Sequence, residues 1–86
     1  MTETSEARLK RLTMRSQRRG IKEMDLILGA YARDRLTGMD DDALLLYDAM
    51  LAENDHDLYQ WVTGQVAAPG RFSALIGDIS AHANRV

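Results

Sequence analysis

Met24, Ile27, Leu28 and Tyr31 recur at helical spacing, as do Leu44, Tyr47, Met50 and Leu51 further along. Phe72, Leu75, Ile76, Ile79 and Ala83 repeat the pattern near the end. Such spacing puts each set on one face of an α-helix, whose period is 3.6 residues. No segment shows the strict apolar–polar alternation of a half-buried strand. A chain with this one period buries its apolar faces by packing helix against helix. The pattern predicts an all-α fold, a compact single domain over residues 1–86 built as a bundle of five short helices.

Punctuation divides the chain. A first helix over 5–18 takes Ser5 as its N-cap and places Leu9, Leu12 and Ser16 on one face, and Gly20 ends it. A second helix over 22–35 carries Gly29 inside it, which costs about 1 kcal/mol relative to alanine and suits close packing. Thr37 and Gly38 end that helix. A third helix over 41–53 starts at an Asp40 N-cap, with Asp41 and Asp42 where the helix dipole favours negative charge. Met39 and Leu44 flank the cap as a hydrophobic staple. Asp55 caps a fourth helix with Leu58, Trp61 and Val62 facing inward, and Gly64 and the stretch 67–70 close it. The fifth helix runs over 71–83. Residues 1–4 read as a flexible start and 84–86 as a frayed end.

A chain of 86 residues buries only roughly 60–65% of its unfolded surface, so the core is modest. There is no cysteine, which removes disulfides and cysteine-based metal sites or nucleophiles, and a reducing compartment fits. No apolar run approaches the roughly 20 residues needed to span a bilayer, so no direct membrane insertion is expected. The opening MTETSEARLKR lacks the apolar core of a signal peptide, and a cytoplasmic location is the default expectation.

The charges are segregated. Arg8, Lys10, Arg11, Arg15, Arg18, Arg19 and Lys22 are seven of the eleven basic residues. Residues 34–57 hold Asp34, Asp40, Asp41, Asp42, Asp48, Glu53, Asp55 and Asp57 against Arg35 alone. Such asymmetry marks either a partner surface or ordinary solvated helix faces. Catalytic constellations are missing. His56 and His82 lie far apart, and Asp55-His56-Asp57 reads as capping and first-turn charge rather than a metal site. Asp40-Asp41-Asp42 lacks the alternate spacing, central glycine and closing glutamate of a calcium loop. The glycines are too scattered for a phosphate loop, and no nucleophile, base and oxyanion site assembles. The chain is therefore not expected to be an enzyme. Its pI of about 5.6 and its apolar-acidic later helices argue against a nucleic-acid partner.

The stretch RRGIKEMD, residues 18–25, supports two readings. In one it is a helix stop. Gly20 is a left-handed C′ residue, Arg18 and Arg19 sit at the negative end of the first helix, and Glu23 and Asp25 lie in the first turn of the second. In the other it is a docking surface. Arg19-Gly20-Ile21-Lys22-Glu23, followed by Met24-Asp25, resembles the hallmark of the SdhE-type FAD assembly factors, an Arg-Gly pair followed by glutamate at the junction of the first two helices. Arg11-Leu12-Thr13-Met14-Arg15-Ser16 is similar to that family's basic first helix. Asp40-Asp41-Asp42 is similar to its third-helix start, and Asp55-His56-Asp57-Leu58-Tyr59-Gln60-Trp61 to its acidic cap before an aromatic pair. The resemblance covers roughly residues 8–80 in order.

The resemblance implies a five-helix bundle acting as an assembly chaperone. Such factors promote covalent attachment of FAD to a histidine of the flavoprotein subunit of succinate dehydrogenase, and in some bacteria of fumarate reductase. The attachment chemistry belongs to that subunit, and no cofactor is held stably by the factor. Partner-binding residues implied here are Arg19, Gly20, Glu23, Asp25, Arg11 and Arg15. Gly20 would let the partner approach closely, and Trp61 belongs to the core. The alternative is a nucleic-acid-associated or toxin–antitoxin-like adaptor using the basic first helix.

Overall fold

The computed structural model of the chain describes residues 3–84. Five α-helices follow one another: α1 (Ser5–Gln17), α2 (Lys22–Arg35), α3 (Asp41–Leu51), α4 (Asp55–Val62) and α5 (Gly70–Ala83). A single 3-10 turn, Leu36–Gly38, joins α2 to α3. No strand occurs among the described residues, and none of their helices is long and apolar enough to cross a membrane. The five expected helices are all present, and α2 has the expected bounds.

Several ends differ in their chemistry. Thr4, not Ser5, caps α1, its hydroxyl accepting the Ala7 N–H at 3.1 Å. Asn54, not Asp55, caps α4 and accepts the His56 N–H at 2.8 Å. Each neighbouring pair offers two cap-capable side chains, and the chain uses the earlier one. Asp40 caps α3 as expected, accepting from Ala43 N at 2.8 Å. α3 closes at Leu51 rather than at 53, because its last turn tightens to i→i+3 bonds, Ala52 N to Ala49 O and Glu53 N to Met50 O. The left-handed glycine is Gly64, with φ +81°, not Gly20. Gly64 N–H reaches Trp61 O and Gln65 N–H reaches Gln60 O, the paired bonds of a Schellman cap closing α4. The expected flexible start, 1–4, and frayed end, 84–86, fall partly on Met1, Thr2, Arg85 and Val86, which lie outside the described residues. Of the others, Glu3 binds Arg11, Thr4 caps α1, and Asn84 is the C-cap of α5.

The core is where the inward stripes meet. Leu12 of α1, Met24 and Leu28 of α2, Tyr47 and Met50 of α3, Leu58 of α4 and Ile79 of α5 are all fully buried. Each such side chain contributes roughly 1.5–3 kcal/mol relative to remaining in water. Trp61 is half-buried against this core, its ring 6.2 Å from that of Phe72. Gly29 is buried where α2 meets α1, and a Cβ there would touch the Gln17 side chain at 3.4 Å. That is an ordinary van der Waals distance to a flexible side chain, so the packing at this point does not depend on glycine.

Ser16, Tyr31, Tyr47 and His82, the polar groups set into this small core, each find a polar partner. Ser16 is fully buried and donates its only hydroxyl proton to Leu12 O at 2.7 Å. Tyr47 Oη, 2.6 Å away, must then donate to Ser16 Oγ. Burial pushes the Tyr47 phenol up to about 12, so it keeps that proton throughout the physiological range. Tyr31 stacks on Tyr47 at 5.9 Å and donates to Asp78 of α5 at 2.7 Å. His82, also in α5, meets Asp34 at 2.8 Å and turns its ring edge to Tyr31. These contacts fasten α5 to α2.

Charged groups set how α1 lies along the later helices. Arg8 pairs with Asp41 at 2.5 Å. Arg11 binds Asp48 at 3.0 Å and Glu3 at 2.8 Å, and Arg15 binds the same Asp48 at 2.5 Å. Asp48 is held below the usual carboxylate range, first by the hydrogen bond from Arg11 and then by the charges of Arg11 and Arg15, against desolvation. Glu3 is lowered too, chiefly by its hydrogen bond from Arg11.

Tyr47→Phe is expected to cost about 1 kcal/mol, because one buried hydrogen bond goes while Ser16 keeps its own acceptor. For a domain of this size that lowers the melting temperature by roughly 4–8 °C, and an unchanged melt would show the hydroxyl pair to be energetically silent. The Asp48 cluster predicts a pH dependence. A carboxyl whose folded pKa lies below its unfolded one stabilises the fold above the unfolded pKa, and that contribution is lost as pH falls through the folded pKa. Stability should therefore drop below about pH 4. Asp48→Asn should lower the melting temperature at neutral pH by roughly 2–6 °C and make the acid drop shallower, as read from thermal melts between about pH 7 and about pH 3.

Candidate functional site

The candidate site is the turn between α1 and α2. Helix α1 stops at Gln17, with Arg18 outside the helical region at φ −125° and ψ 62°. No Schellman cap forms here, because the turn's amides are taken by side chains. Arg19 N–H is held by the Asp25 carboxylate, reaching back from α2. Gly20 N–H donates to Asp55 Oδ2 at 2.5 Å. Gly20 stays out of the left-handed region for that reason, which corrects the expectation of a left-handed C′ glycine.

Arg19 points inward. Its side chain is 9% exposed, and its guanidinium meets Asp55 Oδ1 through Nε at 2.7 Å and Nη2 at 2.6 Å. Nη2 also donates to Leu51 O at 3.0 Å and approaches Glu53 O at 3.4 Å. Nη1 lies 3.5 Å from Arg15 O. A helix leaves its last carbonyls without intrahelical donors. One guanidinium, with its five donors, thus serves the carbonyl ends of both α1 and α3 while pairing with the first residue of α4. Asp55, the expected N-cap of α4, has instead been drawn onto this group.

Glu23 differs from its motif neighbours. It is exposed in the first turn of α2 and has no hydrogen-bond or ion-pair partner among the described residues. Of the six residues expected to meet a partner, Arg11 and Arg15 are paired with Asp48, Arg19 and Gly20 with Asp55, and Asp25 with the Arg19 amide. The structure brings Arg19, Gly20 and Asp25 into one turn and leaves Glu23 projecting from it. Arg11 and Arg15 lie on the outer stripe of α1, an open groove that also takes in Ala7, Lys10, Met14 and Arg18. Met14 is 44% exposed there between the cations.

Sequence reasoning missed Asp55 and Asp48 as partners of the arginines. The signal was present as complementary blocks, basic over 8–22 and acidic over 34–57, whose mutual pairing only the packing of α1 beside α3 reveals. Those pairs engage four of the seven N-terminal cations, Arg8, Arg11, Arg15 and Arg19, which leaves little basic charge for phosphates and weakens the nucleic-acid alternative. Asp55 is turned away from the exposed His56 and Asp57, and no cluster of three or more metal-ligating side chains gathers among the described residues.

Residues 10–83 match the family model Sdh5, described as flavinator of succinate dehydrogenase. The chain is 43% identical over 61 residues to a succinate dehydrogenase assembly factor 2, mitochondrial, of Meyerozyma guilliermondii, covering 71% of this chain and 45% of that protein. It is 38% identical over 72 residues to the Schizosaccharomyces pombe protein of the same name, covering 84% and 52%. The Drosophila grimshawi protein of that name is 34% identical over 74 residues, covering 84% and 50%. The chain spans about half the length of the curated relatives it matches. Their names place these relatives in the mitochondrion, which overturns the cytoplasmic expectation. That expectation rested on the lack of a secretory apolar segment, a property that does not separate cytoplasm from an organelle interior. With the family match running from α1 to α5 over this five-helix bundle, the chain belongs to the flavinator of succinate dehydrogenase family.

Proposed function

We propose that this chain is a non-enzymatic assembly factor. It docks onto the flavoprotein subunit of succinate dehydrogenase through the α1–α2 turn and so promotes covalent attachment of FAD to that subunit. The observation that carries the docking reading is Glu23, a charged side chain left without an internal partner on a turn whose neighbouring polar groups are tied down. Family membership supports the identity of the partner and of the process.

The turn acts as a preorganised contact. Its amides at 19 and 20 and the Arg19 guanidinium are already satisfied, so little conformational freedom remains to be lost on binding. Glu23 pairs with a cation or N–H donor of the partner. The outer stripe of α1 continues the surface, with Met14 as an apolar contact and Lys10 and Arg18 as exposed cations facing acidic groups. Arg11, Arg15, Arg19, Gly20 and Asp25 shape this face more than they supply free charge to it. The bond between FAD and the partner's histidine forms in the partner. This chain contributes binding that favours the acceptor conformation, and it keeps no FAD stably bound. The same docking serves the flavoprotein subunit of fumarate reductase where that enzyme is present.

The test compares wild type with Glu23→Ala. The variant should show an unchanged circular dichroism spectrum and a melting temperature within a few degrees of wild type, because Glu23 is exposed and its first-turn charge is worth at most about 1 kcal/mol. Its affinity for the flavoprotein subunit should fall about tenfold, the equivalent of one charge-assisted hydrogen bond. Covalent flavin fluorescence of the subunit on a denaturing gel should fall with it. Undiminished fluorescence would remove Glu23 from the docking surface.

A further inference from the structure

We propose that Asp55 is a positioning residue of the docking site, and that glycine is required at position 20 in order to admit the Asp55 carboxylate. This inference rests on the docking reading above and assigns a role to a residue outside the Arg-Gly-x-x-Glu motif. Asp55 belongs to α4, 35 residues beyond Gly20. Its Oδ1 takes Arg19 Nε at 2.7 Å and its Oδ2 takes Gly20 N–H at 2.5 Å. One carboxylate therefore grips both the side chain of one motif residue and the backbone of the next.

The space beside Gly20 explains the residue type. A Cβ on Gly20 would stand 3.1 Å from Asp55 Oδ2, closer than carbon and oxygen normally sit. Any side chain there presses on the acceptor that holds the Gly20 amide. Gly20 has no need of a left-handed backbone, since positive φ is confined to Gly64 among the described glycines. The bare Cα is thus used within the chain. With Asp25 holding the Arg19 amide, two carboxylates from different helices fix consecutive N–H groups just before α2. They set the direction in which α2 departs and hence where Glu23, three residues after Gly20, projects. Arg19 turns inward to Asp55, the exposed Gly20 gives Asp55 its amide, and Glu23 faces out.

The experiment uses Asp55→Asn, Gly20→Ala and Glu23→Ala, with Asp55→Asn also in the Glu23→Ala background. Hydrogen exchange at the residue-20 amide reports the turn, and calorimetric affinity for the flavoprotein subunit reports docking, below the melting temperature of every variant. Exchange should accelerate about tenfold in Asp55→Asn and in Gly20→Ala, since each loses or crowds the same acceptor. Affinity should fall about tenfold in Asp55→Asn but less than about twofold once Glu23 is already alanine, because a residue acting through Glu23 has nothing left to position. A merely structural role would give the same loss in both backgrounds, and that result overturns the proposal. Wild-type exchange in both Asp55→Asn and Gly20→Ala overturns it as well, without reference to any partner. Wild-type affinity in Glu23→Ala instead overturns the docking reading on which it rests.

Discussion

The contact between Arg19 and Asp55 joins two interhelix junctions that are distant in sequence. One side of it is the turn between α1 and α2, the other the turn between α3 and α4. A chain of this size has few layers of side chains with which to hold its helix ends, and the guanidinium supplies donors to the last carbonyls of α1 and α3 at once. Removing one partner of a buried ion pair typically costs about 3–5 kcal/mol, against a total stability of about 5–15 kcal/mol for a domain. With the side chains 9% and 19% exposed, this pair sits near enough to that limit to matter for folding. Substituting Arg19 therefore perturbs the fold itself, whatever else it does. Glu23, a few residues away, has no such internal duty.

The other arginines have a different weight. Arg8–Asp41, Arg11–Asp48 and Arg15–Asp48 are more open to water, and pairs of that kind contribute between nothing and about 1 kcal/mol each. Their value is in alignment. Going along α1 and into the turn after it, from Arg8 to Arg19, the partners advance from Asp41 through Asp48 to Asp55. The two stretches consequently run side by side in the same sense. Sliding α1 by one turn would part Arg8 from Asp41 and strand the Ser16 hydroxyl away from Tyr47. The ladder selects a register, while the buried stripes provide the stability.

The helices were legible because periodicity is a local property, and α2 was readable to the residue. Caps were less so. Thr4 beside Ser5 and Asn54 beside Asp55 present equivalent local chemistry, and what separates Asn54 from Asp55 is a guanidinium more than thirty residues away. The same distance hid the role of Gly20. Glycine after two arginines looks like a left-handed helix stop, but the amide finds a carboxylate from α4 and the backbone needs no positive φ. The charge blocks were visible in the sequence, yet composition cannot distinguish a surface awaiting a partner from one completed within the chain. Here most of that charge is completed within the chain, and the exposed remainder from α1 to the start of α2 is Glu6, Lys10, Arg18, Lys22 and Glu23.

The size of that remainder limits how the proposed docking can work. A specific interface takes roughly 800 Å² from each partner, about one seventh of this chain's 5369 Å² of accessible surface. The tip of a single turn cannot supply it. The outer stripe of α1 lies directly before the turn in sequence and leads into it through Arg18 and Arg19, and it offers the aliphatic stems of its arginines and the exposed Met14 as apolar area. Because Arg11 and Arg15 are anchored to Asp48, those stems are already ordered, and covering them costs less side-chain entropy than covering free arginines would. In the docking reading, internal pairing and partner binding are therefore complementary. The acids of α3 and α4 hold the basic face in shape, and a few unpaired groups, Glu23 foremost, give it direction.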